Sequence, residues 1–475
     1  MRTMEFIVII VHFLILVRLL FFRRGGSPGN VMLIGVAAVI TALQIGLEGY
    51  RSQMIPAYLM FVWILLQVVI DPSKYTVSAS AVSRICKGGV LGLYMFVAIA
   101  LPILMPVFSL DKPSGPYAVG TMTFHFTDDK RQEEYAKDPS IRRELMVQLW
   151  YPAKTGSDEP TAPYTATPQE IAIGLGTSIS IPAIALEQLG QVKTHSHLEA
   201  LLPDQEQAWP LLVFSHGMDR FRNSNTFQVE ELASHGYIVA AIDHTYDAAA
   251  TVFPDGRVTY SRSQLDDGIP ALDARMPVWV SDVKFVLDQL ERLNRGIPDS
   301  RFQGAIDMSR IGMFGHSYGG AAAMQMLLQD DRVKAGIDMD GGLYGIRAPE
   351  QGIGKPFMLM NAQDTEIHYQ QAVKNPSDMS LDTYEGIWQE LLHRRQLALA
   401  GGGYSVTIPH TDHMSYTDFP LYSPLFIGKE ADIRYTHRII CDVSLSFFDK
   451  YVKGDDTIVL DDIGARYPDI ELIKS

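Results

Sequence analysis

Apolar residues crowd the first 110 positions of the chain into four near-continuous runs, at 6–22, 31–47, 55–70 and 88–110. Each is close to the roughly 20 residues that cross the hydrocarbon core of a bilayer. A soluble helix would keep one polar face, and these runs have almost none. The pattern predicts a transmembrane region of about four helices over residues 1–110. A cleaved leader fits poorly, because the positive charges follow the first run and three more runs come after it.

From about Pro113 the pattern changes. Positions 121–126 and 144–151 alternate polar and apolar, as half-buried antiparallel strands do. Residues 155–208 are mixed and form a candidate cap. Then short apolar runs at 209–215, 237–242, 310–314, 335–339, 356–361 and 404–408 predict strands buried on both faces. Helical spacing is expected at 227–235, 278–293, 319–329, 384–398 and 435–452. Alternation of this length implies a doubly wound, mostly parallel sheet over residues 111–475.

Charge sharpens the division. Residues 1–110 hold eight Lys/Arg and three acids, about +5, against −14 for the whole chain, so the rest stands near −19. An acidic body excludes nucleic acid as a partner, since phosphate binding needs clustered Lys/Arg. Of the loops between the apolar runs, the first carries Arg23 and Arg24 and the third carries Lys74, Arg84 and Lys87, while the second carries Arg51 alone. The positive-inside rule then puts the first and third loops in the cytoplasm and the body on the extracytoplasmic face. Two cysteines, Cys86 and Cys441, suggest neither a disulfide framework nor a zinc knuckle.

The candidate chemistry sits in Gly315-His316-Ser317-Tyr318-Gly319. This G-x-S-x-G follows an apolar strand and opens a helix, the context of a nucleophile elbow in an α/β-hydrolase fold. Such a serine needs a base and an orienting acid. The base should follow the last strand, where His410 and His413 both lie. The acid should end an earlier strand, and Asp338, Asp340 and Asp364 all qualify. The general rule of the fold favours Asp364. One oxyanion donor should come from the residue after the nucleophile, Tyr318, and another from the loop 215–218.

Several segments resemble the plasma and intracellular type II platelet-activating-factor acetylhydrolase family. The segments LVFSHGM (212–218) followed by Phe221-Arg222, ELASHGYIVAAIDH (231–244) and GHSYGG (315–320) carry the likeness, which covers roughly residues 115–450. The resemblance implies Ser317 as nucleophile. It implies Asp340 as the acid, through Gly336-Ile337-Asp338-Met339-Asp340. It implies His413 as the base, through His413-Met414-Ser415-Tyr416-Thr417-Asp418-Phe419. The oxyanion donors map to the backbones of Met218 and Tyr318. It further implies hydrolysis of short or oxidised acyl esters, including phospholipids, with no cofactor and no metal. The chain departs from the family in its multi-span head. It also departs in Gly341-Gly342, where an Ala-Trp-like pair is common, so the acyl pocket is expected to differ.

Other residues have plainer readings. His216, His235 and His244 are expected to hydrogen-bond backbone at strand ends rather than to catalyse. The Met-rich segment 324–328 reads as core filler. Rival functions on the same residues are an acyltransferase or polyester depolymerase, or an inactive membrane receptor or scaffold. The expected partners are a small ester or phospholipid substrate and membrane lipid.

Overall fold

The computed structural model describes all residues except 22–27, 70–80, 155, 157–158, 205–207, 263–267 and 429–430. Each of the four apolar runs forms a helix: α1 (Thr3–Phe21), α2 (Pro28–Glu48), α3 (Ile55–Val69) and α4 (Ala81–Leu104). Three of them, α1, α2 and α4, are long and apolar enough to cross a membrane, while α3 is a shorter apolar helix. Arg23, Arg24 and Lys74, which carry much of the orientation argument, lie outside the described residues.

Several polar side chains among these helices find partners within the structure. His12, fully buried, lies 3.1 Å from Thr41 Oγ1 and 3.1 Å from the Ala57 carbonyl. Arg51 pairs with the buried Glu5 at 3.0 Å. Just beyond α2, Gln53 Nε2 donates to the Ile184 carbonyl at 3.0 Å and to Gln188 Oε1 at 3.1 Å. Arg2 donates to Gln191 Oε1 at 2.9 Å. The helices are therefore fastened by one end to the segment around 184–191 of the body.

The body is built on an 11-stranded sheet. Its strands are β1 (Ala118–Gln132), β2 (Arg142–Ala153), β3 (Thr161–Pro163), β4 (Lys193–Leu198), β5 (Trp209–Ser215) and β6 (Ile238–Asp243), then, after a separate hairpin of β7 (Ala250–Val252) and β8 (Val258–Tyr260), β9 (Ile306–His316), β10 (Val333–Met339), β11 (Phe357–Ala362), β12 (Tyr404–Ile408) and β13 (Glu471–Lys474). The order is β13-β12-β11-β10-β9-β5-β6-β2-β1-β4-β3. The six strands from β12 to β6 run parallel. β2 joins them antiparallel and pairs with β1, as the alternating pattern predicts.

Helices cover both faces, as parallel sheets require. They are α5 (Pro168–Ser178), α6 (Thr226–Ser234), α7 (Gly268–Asn294), α8 (Tyr318–Gln329), α9 (Gln363–Lys374), α10 (Tyr384–Leu399), α11 (Ile433–Phe448) and the short α12 (Asp461–Arg466). Two apolar clusters flank the sheet. Phe214, Phe314 and Met339 belong to one, and Val213, Met313 and Met324 to the other. That split follows from residues i and i+1 of a strand pointing to opposite faces. Met324 and Met326 are buried, as expected of core filler.

The candidate cap, 155–208, divides in two. β3 and β4 extend the sheet edge, while Ile171, Leu175, Leu186 and Leu189 bury themselves in the core. α7 starts at Gly268, ten residues before the expected helix, because Pro277 is tolerated inside it.

Candidate active site

Ser317 sits between the end of β9 and the start of α8 with φ 55° and ψ −120°. A non-glycine residue there is strained, and the surroundings must hold it. Its N–H donates to the Met339 carbonyl at 2.8 Å, tying the turn to β10. The flanking glycines are sterically required. A Cβ on Gly315 would lie 2.2 Å from the Gly319 carbonyl, and one on Gly319 would lie 2.0 Å from the Ser215 carbonyl.

Asp340 lies one residue past β10, in a left-handed conformation at φ 57°. That turn separates it from Asp338, with which a regular strand would have shared a face. The Asp340 carboxylate accepts from Ala362 N–H at 2.8 Å, from the Thr365 hydroxyl at 2.9 Å and from His413 Nδ1 at 2.7 Å. Its side chain is sealed from solvent, while that of His413 is 46% exposed. One partner of the pair thus faces the protein and the other faces the site.

The rival candidates lie elsewhere. Asp338 Oδ1 accepts from Gly341 N–H at 2.9 Å, and Oδ2 has no partner. Burial, reinforced by the charge of Asp340, pushes the Asp338 carboxyl well above the usual carboxylate range. Asp364 falls in the first turn of α9, and its N–H donates to the Thr411 carbonyl at 3.3 Å. His410 occupies the turn after β12, where its N–H donates to Gln363 Oε1 at 2.7 Å. His413 opens the next short turn, which Asp412 caps through Met414 and Ser415 N–H.

Two neighbours were not anticipated from sequence. Thr365 supplies the hydroxyl on Asp340. His316 donates from Nε2 to the His413 carbonyl at 2.8 Å, and the two rings lie 4.5 Å apart. Burial, and then the nearness of His413, keep the His316 ring neutral by lowering its pKa well below the ordinary value. The position of His316 beside Ser317 was a legible clue to proximity. Thr365 became visible only with the packing of α9.

The loop after β5 reaches the same place. A Cβ on Gly217 would lie 3.2 Å from Ser317 Cβ, so the backbone at Gly217 approaches the elbow closely. Met218 follows it, and Tyr318 is the first residue of α8. The His216 ring does contact backbone, at the Gly217 carbonyl and the His244 N–H, whereas the His244 ring meets side chains, those of Ser215 and Asp282. His235 instead pairs with the Glu231 carboxylate at 3.0 Å. Among the described residues, no group of three or more His, Cys, Asp or Glu is arranged to hold a metal ion.

Comparisons with known proteins cover most of the chain. The family model described as platelet-activating factor acetylhydrolase, isoform II, matches residues 105–266 and 279–459. The chain is 28% identical to the "Probable 1-alkyl-2-acetylglycerophosphocholine esterase" of Arthroderma benhamiae, over 76% of this chain and 93% of that one. It is 25% identical to the platelet-activating factor acetylhydrolase of Cavia porcellus, over 73% and 79%. Its structure resembles a ferulic acid esterase from Streptomyces cinnamoneus, with a TM-score of 0.61 and 29% identity over 78% of this chain and all of that one. With a family model covering most of the body, an esterase as a structural relative and a hydrolase elbow in a doubly wound sheet, the chain belongs to the isoform II platelet-activating factor acetylhydrolase family and is an ester hydrolase of the α/β-hydrolase fold.

Proposed function

We propose that the chain cleaves carboxylic esters through an acyl-enzyme, with Ser317, His413 and Asp340 as its catalytic triad. Ser317 Oγ attacks the ester carbonyl. His413 takes its proton, passes it to the leaving alcohol, and then activates the water that frees the acid. Asp340 holds the imidazole with Nδ1 protonated, leaving Nε2 to face the nucleophile. The N–H groups of Met218 and Tyr318 receive the developing oxyanion. The observation that carries the reading is the 2.7 Å bond between His413 Nδ1 and a sealed Asp340 carboxylate on which three donors converge. Chymotrypsin-type triads need that orientation of the ring.

The names of the relatives support a substrate class. Two of them are named for esters of acetylglycerophosphocholine or for platelet-activating factor. This supports a short acyl group on a glycerophospholipid, and it favours hydrolysis over acyl transfer. The apolar helices support a multi-pass anchor that keeps such lipids close, and the basic residues of the first and third loops support a body on the extracytoplasmic side.

Fluorophosphonate labelling tests the nucleophile. Wild type should label and Ser317→Ala should not. An unlabelled wild type, or a labelled Ser317→Ala, would sink the assignment. An ester series differing in acyl length then tests the substrate class, with turnover expected to fall as the chain lengthens.

A further inference from the structure

Behind the loop at Gly217 lies a second Ser-His-Asp set. Ser215 Oγ is 2.9 Å from His244 Nε2, and His244 Nδ1 is 3.0 Å from Asp282 Oδ2. Arg143 completes the chain with two bonds to Asp282, at 3.0 and 2.6 Å. Ser215, His244 and Asp282 are each fully buried. No ester can reach this serine, so the set has no catalytic role of its own. Burial alone would raise the Asp282 carboxyl, but Arg143 and His244 outweigh it and hold it well below the usual range. An ionised carboxylate only accepts, so His244 donates from Nδ1 and accepts the Ser215 hydroxyl at Nε2. Trp279 stacks on the His244 ring at 3.8 Å and keeps it in place.

His216 links this set to the site. The backbone N–H of His244 donates to His216 Nε2 at 3.2 Å. His216 Nδ1 lies 2.7 Å from the Gly217 carbonyl. A carbonyl can only accept and an N–H can only donate, so both bonds demand the same neutral tautomer, with the proton on Nδ1. Burial lowers the His216 pKa to about 4, which keeps that tautomer in place at neutral pH. Arg220 N–H donates to the same carbonyl at 3.0 Å. The Gly217 carbonyl and the Met218 N–H belong to one planar trans peptide and point in opposite directions.

We propose that His216 is a positioning residue that orients the Gly217–Met218 peptide, so that the Met218 N–H faces the oxyanion, with the buried Ser215-His244-Asp282 set holding it in register. The inference rests on Met218 being an oxyanion donor, as proposed above. It assigns the set a role in transition-state binding rather than in proton transfer.

The full-length chain with His216→Leu, His216→Asn and Ser215→Ala tests it. Removing an oxyanion donor costs about 100- to 1000-fold in kcat, and a misaimed one should cost about 10- to 100-fold. His216→Leu should lose that much kcat with KM nearly unchanged. Its affinity for a trifluoromethyl ketone, which forms a tetrahedral adduct, should fall in parallel. Affinity for a non-reactive substrate analogue should stay constant. An Asn amide nitrogen can occupy the place of Nδ1, so His216→Asn should recover most of the kcat. Ser215→Ala should give a smaller loss of the same kind, and it keeps the test alive if His216→Leu does not fold. The proposal is overturned if a folded His216→Leu, or otherwise Ser215→Ala, keeps wild-type kcat and ketone affinity. It is equally overturned if kcat falls only in proportion to the fraction folded, with ketone affinity per folded molecule unchanged. A wild type that fluorophosphonate does not label would instead mean that the triad assignment itself has failed.

Discussion

The carboxylate of Asp340 meets His413 at 2.7 Å, while that of Asp338, two residues earlier, turns beneath the elbow to Gly341. The left-handed φ of Asp340 makes the difference. Asp340→Asn should leave the ring in the wrong tautomer and lower kcat by about 10⁴-fold. Burial already works against a charge on Asp338, which makes no bond to His413, so Asp338→Asn should keep activity within a few-fold. Asp364→Asn should do the same. Steady-state kinetics of the three variants checks the assignment, and a crippled Asp364→Asn beside a mild Asp340→Asn would reverse it.

Thr365 donates to the same oxygen of Asp340 that receives His413. Thr365→Val keeps the shape and removes this donor. A hydrogen bond to a charged group is worth about 1.5–3 kcal/mol, so kcat should fall by about 10- to 100-fold with little change in KM. A KM effect with unchanged kcat would show that Thr365 serves substrate binding and not the acid.

The elbow should tolerate no added carbon at Gly319. A Cβ there would lie 2.0 Å from a backbone carbonyl of β5, and no side-chain movement relieves that contact. Gly319→Ala should abolish labelling at Ser317 and lower the melting temperature. An active, equally stable variant would mean that α8 can move away from the end of β5.

Much of this was legible in the sequence because it depends on local chemistry. The runs 209–215 and 404–408 are observed strands to the residue. The elbow motif gave Ser317 its setting. Which of Asp338, Asp340 and Asp364 meets His413 was not legible from spacing, because it depends on one backbone turn at a strand end, and only the family likeness pointed to Asp340. The edge strands β3, β4 and β13 were missed, since three to six residues of mixed polarity carry no clear period. α9 was missed because its sequence is mostly polar and only Tyr369 and Ala372 are buried. The Ser215-His244-Asp282 set was invisible for another reason. Its members come from β5, from the residue after β6, and from α7, and only the sheet order brings them together.

His437 stacks on Phe227 with ring centroids 3.8 Å apart and donates to the Thr417 carbonyl. Burial lowers its pKa to about 3. In the unfolded chain it protonates near 6.5. Between these values the unfolded state binds more protons, so this residue's contribution is complete above about pH 6.5 and is lost as pH falls toward 3. His437→Phe removes the titration and keeps the stack. The difference in melting temperature between wild type and variant should shift in favour of His437→Phe as pH drops from 7 to 4. A difference that does not change with pH would show that His437 titrates normally.

The helices α1–α4 meet the body through Arg2, Arg51 and Gln53, which bond to the ends of α2 and α4 and to residues 184–191. If the body is extracytoplasmic, this polar junction lies at the outer membrane surface. A cysteine placed at the half-exposed Lys154, in a chain with Cys86→Ser, should then react with a membrane-impermeant maleimide on intact cells. Cys441 is buried and should stay silent. Labelling only after permeabilisation would place the body in the cytoplasm. It would also mean that the basic residues of the first and third loops do not set the orientation, leaving the triad assignment untouched.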